Sequence, residues 1–116
     1  MNVEQLDQEL NAMIFSGKAM EAFEKFYAEN VEMQENLEPP TVGKAANRQR
    51  EIDFFSSVAE WHDGKVLSTA VNGDISFCEM EMEITLKGGP RFRSAQVAVR
   101  RWKGGQIVHE RFYYSK

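Results

Sequence analysis

Two carboxylates in this 116-residue chain stand where they could do chemistry. Glu110 is the one acidic residue among residues 87–116 and lies within the apolar and aromatic run Ile107 to Tyr114, while Glu35 shares one face of an alternating stretch with Val31, Met33 and Leu37. A carboxylate held in an apolar cavity is destabilised as an anion, so its pKa rises toward neutrality and it becomes a usable general base or acid. Each also has a plain structural reading. Glu110 could pair with Arg101 or Arg93 and close one end of the domain, and Glu35 could sit in water at a pocket mouth. Other chemistries lack their parts. Cys78 is the single cysteine, His62 falls in a loop and His109 on an outer sheet face, so no Cys-His or Ser-His-Asp group can be assembled. The comb Glu79, Glu81, Glu83 has no ligands converging on it, so no metal is expected.

The elements that must position these groups follow from periodicity. Val3, Leu6, Leu10, Met13 and Ile14 recur at helical spacing over residues 3–15, with Glu4, Asp7, Gln8 and Asn11 facing water. After Ser16-Gly17 a second helix carries Ala19, Ala22, Phe23, Phe26 and Tyr27 and runs to Asn30. From Val31 the period falls to two, predicting a strand that Pro39-Pro40 ends. Thr41 or Gly43 then caps a third helix with the stripe Ala45, Arg48 or Ile52, Phe55, Val58 and Ala59. Four strands follow, over about 65–72, 75–87, 91–103 and 106–114, punctuated by Asn72-Gly73, Gly88-Gly89 and Gly104-Gly105. Helices grouped ahead of an antiparallel meander describe one α+β domain over residues 1–116, with three helices from the N-terminal half packed on the concave face of a curved sheet.

A four-residue loop over 87–90 pairs Met82 with Ala95, Met80 with Val97 and Cys78 with Val99, and a two-residue turn at Gly104-Gly105 sets Val99 opposite Glu110, Val97 opposite Phe112 and Arg101 opposite Val108. The inner face is then Met80, Met82, Val97, Val99 and Phe112, with Glu110 in its middle. A one-residue slip in either turn would exchange the neighbours but leave Glu110 facing inward. The opposite face carries glutamates beside arginines, which also accounts for a net charge of −11 over residues 1–86 against +7 over 87–116.

This layout resembles the cone-shaped fold of the nuclear transport factor 2-like superfamily, and within it the SnoaL-like proteins. FEKFYAENVEMQ, TVGKAANRQREIDFF and VRRWKGGQIVHERFYYS carry the resemblance, nearly end to end. It implies a pocket between the concave face and the helices. In the isomerase and cyclase branches an inner acidic residue serves as general base, and Glu35, eight positions before Gly43, has that placement here. The first helix offers Met13, Ile14 and Phe15 where the isomerase carries a tyrosine donor, and Glu110 stands nearest to the cyclase's inner acid.

The expectation is therefore a pocket protein for a small, mostly apolar ligand of fused-ring size, with Glu110 and Glu35 as catalytic candidates in a polyketide cyclase- or isomerase-type proton transfer that needs no cofactor. Met80, Met82, Val97, Val99, Arg101 and Phe112 would line the sheet side, and Tyr27, Met33, Phe55 and Tyr114 the remainder. The alternative is a non-catalytic homodimeric ligand-binding or adaptor domain. A two-fold homodimer through Phe77, Trp102, Ile107 and Tyr113 on the outer face is expected in either case. A net charge of −4 argues against nucleic acid. The acidic start, the lone cysteine and the absence of a membrane-length apolar run point to a cytoplasmic protein without membrane contact.

Overall fold

Asn2 starts the first helix. Its side chain accepts from the Gln5 backbone N–H at 2.9 Å while the Gln5 side chain accepts from the Asn2 N–H at 3.0 Å, a reciprocal cap that satisfies two otherwise orphaned donors. The structure, a computed structural model, describes residues 1–115. Helix α1 spans Val3–Ile14 and buries Leu10 in the core. Asp7 and Asn11, expected in water, are 2% and 6% exposed instead. They lie one helical turn apart on a side of α1 that meets buried polar partners from the sheet, so burial costs them no hydrogen bonds.

Helix α2, Ala19–Phe26, packs Ala22, Phe23 and Phe26 inward and ends four residues short of Asn30, because Tyr27 already takes extended backbone angles and pairs with Ile107. Strand β1 is Tyr27–Glu35; Val31 and Met33 are buried as expected, while Leu37 lies beyond the strand and is exposed. The short β2, Thr41–Val42, pairs with β1. Gly43, at φ +96°, makes the sharp entry into helix α3, Lys44–Ser57.

Helix α3 does not bury the apolar stripe read from the sequence. Ile52 is 42% exposed, Ala45 is exposed, and Val58 and Ala59 already belong to β3. The buried positions are Lys44 and Asn47. Asn47 Nδ2 donates toward the carbonyls of Thr41 and Gly43 at 2.9 and 2.8 Å, and Lys44 Nζ donates to the Glu24 carbonyl at 2.9 Å. Backbone carbonyls at the ends of neighbouring elements thus hold this helix by polar bonds rather than by an apolar face.

Strands β3 (Val58–Asn72), β4 (Ile75–Leu86), β5 (Arg91–Lys103) and β6 (Gln106–Tyr114) form the expected meander, except that β3 begins seven residues earlier than the expected 65–72 and takes in His62, expected in a loop, because these residues pair with β4. The six-stranded sheet runs β2-β1-β6-β5-β4-β3 and does not close on itself. Its one parallel pair, β1 with β6, makes it mixed rather than wholly antiparallel.

The register differs from expectation by one residue on both sides of β5. Cys78 pairs with Ala98 and Met80 with Gln96, because Thr85 and Arg91 are the last pair before the hairpin and the loop holds five residues. On the other side Trp102 pairs with Ile107 but Arg101 with His109, so Val108 is an extra residue and Arg100, not Val99, stands opposite Glu110 and takes the ion-pair role expected of Arg101. Val97, Val99 and Arg101 consequently face outward, while Trp102 and Ile107 turn into the core at 4% and 0% exposure and leave the expected dimer face. The bulge lets Ile107 and Glu110, of opposite parity, both point inward.

Leu10, Phe23, Phe26, Val31, Met33 and Ile107 form the main core with Trp102, whose ring meets Phe26 edge-on at 6.0 Å. A smaller cluster of Cys78, Met80 and Ala98 floors the concave face. Among the described residues no helix is long and apolar enough to cross a membrane.

Candidate active site

Between the concave face and the helices lies a partly open cavity of about 350 Å³. Met80, Met82, Gln96 and Phe112 form its sheet side, and Phe23, Tyr27, Phe54 and Phe55 its helical side, with Phe15 and Trp61 also on its wall. Gly64 permits that last arrangement. A Cβ there would lie 2.7 Å from the Phe15 ring and 3.0 Å from the Trp61 ring.

Glu110 sits on the cavity wall, fully buried, and both its oxygens are engaged. Tyr27 donates its hydroxyl to Oε1 at 2.6 Å, and Arg100 donates Nε to Oε2 at 2.7 Å. Arg100 Nη1 also donates to Asp7 Oδ1 and Asn11 Oδ1, each at 2.8 Å. Ser76 donates to Asp7 at 2.8 Å and accepts from the Trp102 indole at 2.9 Å. The bulge at Val108 and the i, i+4 placement of Asp7 and Asn11 on α1 bring these groups together. Among the described residues no buried side-chain polar atom lacks a partner. Burial works against the Arg100 charge, but Glu110, Tyr27 and Asp7 outweigh it and hold the guanidinium protonated well above its ordinary range. Burial, and then the Glu110 carboxylate, raise the Tyr27 phenol well above its ordinary value.

Glu35 lies at the mouth of the cavity, where Arg50 Nη2 meets it at 3.3 Å with both side chains about one-third exposed (34% and 39%). A third carboxylate went unread in the sequence. Glu51 is presented to the cavity by α3, one turn beyond Asn47 and one before Phe54 and Phe55. Its carboxyl is half-buried and receives no side-chain donor. Burial first, then the charge of Glu110, raise its pKa to about 7; Arg50 pulls the other way and Glu35 adds a smaller push. The signal was present as the i, i+4 face Asn47–Glu51–Phe55, which an apolar stripe does not select.

Of the expected site residues, Glu110, Glu35, Tyr27, Phe55, Met80, Met82 and Phe112 line the cavity. Met33 packs in the main core behind it. Val97, Val99 and Arg101 are on the other face of the sheet, displaced by the register shift, and Tyr114 pairs with Gln96 near the strand end without forming part of the described wall. Cys78 is buried, which raises its thiol pKa and leaves it a packing residue.

An open, curved α+β sheet with helices over a cavity of mixed aromatic and carboxylate character defines the cone-shaped pocket proteins. The chain belongs to the SnoaL-like domain family, whose model matches residues 1–114. It is similar in structure to a provisionally assigned SnoaL-like polyketide cyclase from Mesorhizobium loti, at 29% identity and a TM-score of 0.86, covering 98% of this chain and 100% of that one. A nuclear transport factor 2-like protein of unknown function from Burkholderia pseudomallei aligns at 14% identity and a TM-score of 0.81, over 97% of this chain and 89% of the other. A provisionally assigned polyketide cyclase from Pseudomonas putida aligns at 18% identity and a TM-score of 0.80, over 99% and 92%. The last two share the fold alone. No curated protein matches the chain in sequence.

Proposed function

We propose that this protein binds a small, mostly apolar ligand in its cavity and moves a proton on it without a cofactor, in a cyclase- or isomerase-type reaction with Glu51 as the acid–base group. The observation that carries this reading is the contrast between the two inner glutamates. Glu110 has both oxygens bonded and a buried guanidinium beside it, so taking a proton would dismantle a satisfied network. Glu51 faces the cavity without a donor and has a pKa of about 7, where a carboxylate is both available and basic at neutral pH. Glu110 and Tyr27 then shape the floor of the site, and the Arg50–Glu35 pair borders its mouth.

The test uses 5-nitrobenzisoxazole, a compact substrate whose activated C–H reports a desolvated carboxylate base. Ring opening should follow a single ionisation near pH 7, survive chelators, and fall roughly a hundredfold or more in Glu51→Gln. Unchanged turnover in Glu51→Gln, with loss in Glu110→Gln folded to wild-type stability, would move the role to Glu110.

The open cavity favours a ligand site over the adaptor domain, which side chains filling the cone would have supported. The homodimer belongs to the same proposal, through a face corrected to Phe77, Val97, Val99 and Tyr113. Sedimentation at micromolar concentration should give a dimer that Val97→Glu separates. The lone, buried Cys78 fits a reducing, cytoplasmic setting.

A further inference from the structure

The charges around the cavity do not balance. Glu35, Glu51 and Glu110 line it with three carboxylates, against the two guanidiniums of Arg50 and Arg100. Both cations are committed, Arg100 to Asp7 and Glu110 at 2.8 and 2.7 Å and Arg50 to Glu35 at 3.3 Å. Glu51 is left as the surplus. The groups that bear on it are Glu110 from β6, Glu35 and the Tyr27 phenol from β1, and Arg50 from its own helix, with Arg100 on β5 across the same cavity. The wall contributed by β3 and β4 is uncharged, through Trp61, Met80 and Met82, and Phe15 and Phe23 from the first two helices complete an aromatic lining.

We infer that the cavity selects an organic cation, an ammonium group carried on an apolar body, with Glu51 as its counter-ion and the aromatic rings as its walls. This deepens the proposed reading of the cavity as a ligand site. An anion would meet net negative charge at short range in a partly dry space. A neutral ligand leaves Glu51 either protonated or unpaired, whereas a cation supplies the missing charge, and the rings accept it face-on at little desolvation cost. The field that holds a proton on Glu51 is the field such a ligand would satisfy, so its binding should expel that proton. The reacting C–H of a substrate would then lie beside a positive centre, which acidifies it, within reach of the same carboxylate.

The experiment compares phenyltrimethylammonium with tert-butylbenzene, which has the same shape and no charge, by isothermal titration against the full chain. The permanent charge of the cation means that any pH dependence belongs to the protein. At pH 8 the cation should bind roughly tenfold or more tighter than its isostere, and its affinity should fall about tenfold or more by pH 5.5 as Glu51 takes its proton. In Glu51→Gln the two probes should bind alike, and retained binding of tert-butylbenzene shows that the variant keeps its cavity. Equal affinity of the two probes for the wild-type protein at pH 8, or a preference that persists in Glu51→Gln, overturns the cation inference and leaves the ligand-site reading standing. Failure of both probes to bind the wild-type cavity overturns both.

Discussion

The two sides of the cavity hold the same kind of side chain in opposite states. On the sheet side, Glu110 is fully buried and bonded through both oxygens to Tyr27 and Arg100; Asp7 and Asn11 hold Arg100 in turn, and Ser76 donates to Asp7. On the helix side, Glu51 is half-buried and has no side-chain donor, and the repulsion of Glu110 and Glu35 adds to its burial while Arg50 opposes them only in part. Burial by itself therefore does not make a carboxylate reactive. A buried carboxylate with its partners built in contributes to the architecture, and one left without them titrates near neutral pH and has a proton to exchange with a ligand.

The contrast breaks most visibly at Arg100. Arg100→Met removes the cation from between Asp7 and Glu110 and leaves two buried carboxylates facing one another, so urea unfolding at pH 7 should show a loss of about 3–5 kcal/mol. Adding Glu110→Gln to that variant should recover part of the loss, since it removes one of the stranded charges. A loss below about 1 kcal/mol in Arg100→Met would mean that the network is not what joins α1 to the sheet.

Glu51→Gln should act in the opposite direction. The Glu51 pKa of about 7 lies above the ordinary 4.5, so the stability its protonated form provides is fully present below the unfolded value and is lost as pH rises through 7. The variant, which cannot ionise, should match the wild type near pH 4 and exceed it at pH 8 by about 2 kcal/mol, after allowance for the solvent that reaches a half-buried group. Thermal unfolding at the two pH values measures both ends. A variant less stable at pH 8 than at pH 4, relative to wild type, would reverse the assignment of the two glutamates.

Gly64→Ala sharpens the comparison at the cavity wall. The added methyl must displace the Phe15 ring, 2.7 Å away, so a cost of about 1 kcal/mol is expected together with altered Trp61 fluorescence and no change at the Arg100 network. Fluorescence identical to wild type would place Phe15 elsewhere.

How far the sequence carried the fold depends on which rule each element obeys. Alternation and glycine pairs marked the meander, and the parity of β6 put Glu110 inside. The partners of Glu110 were hidden by two one-residue events, a five-residue hairpin loop and the bulge at Val108, which composition does not announce and which together exchange Arg101 for Arg100. The spacing of Asp7 and Asn11 places them on the solvent side, as polar residues on an amphipathic helix usually are; only a buried arginine from another element reverses that. Helix α3 misled for the related reason that its inward face is Lys44, Asn47 and Glu51, held by carbonyls and a cavity rather than by apolar packing. The residues that were hard to read are those whose partners come from distant segments, and the candidate site is made largely of them.

The central claim, that Glu51 is the cavity's free carboxylate while Glu110 is committed to the fold, is tested most directly by following the Glu51 side-chain carboxyl carbon by ¹³C NMR from pH 4 to pH 9. A midpoint of about 7 is expected, moving downward in Glu110→Gln as the neighbouring negative charge is removed. A midpoint at the ordinary value near 4.5, unmoved by that substitution, would contradict it.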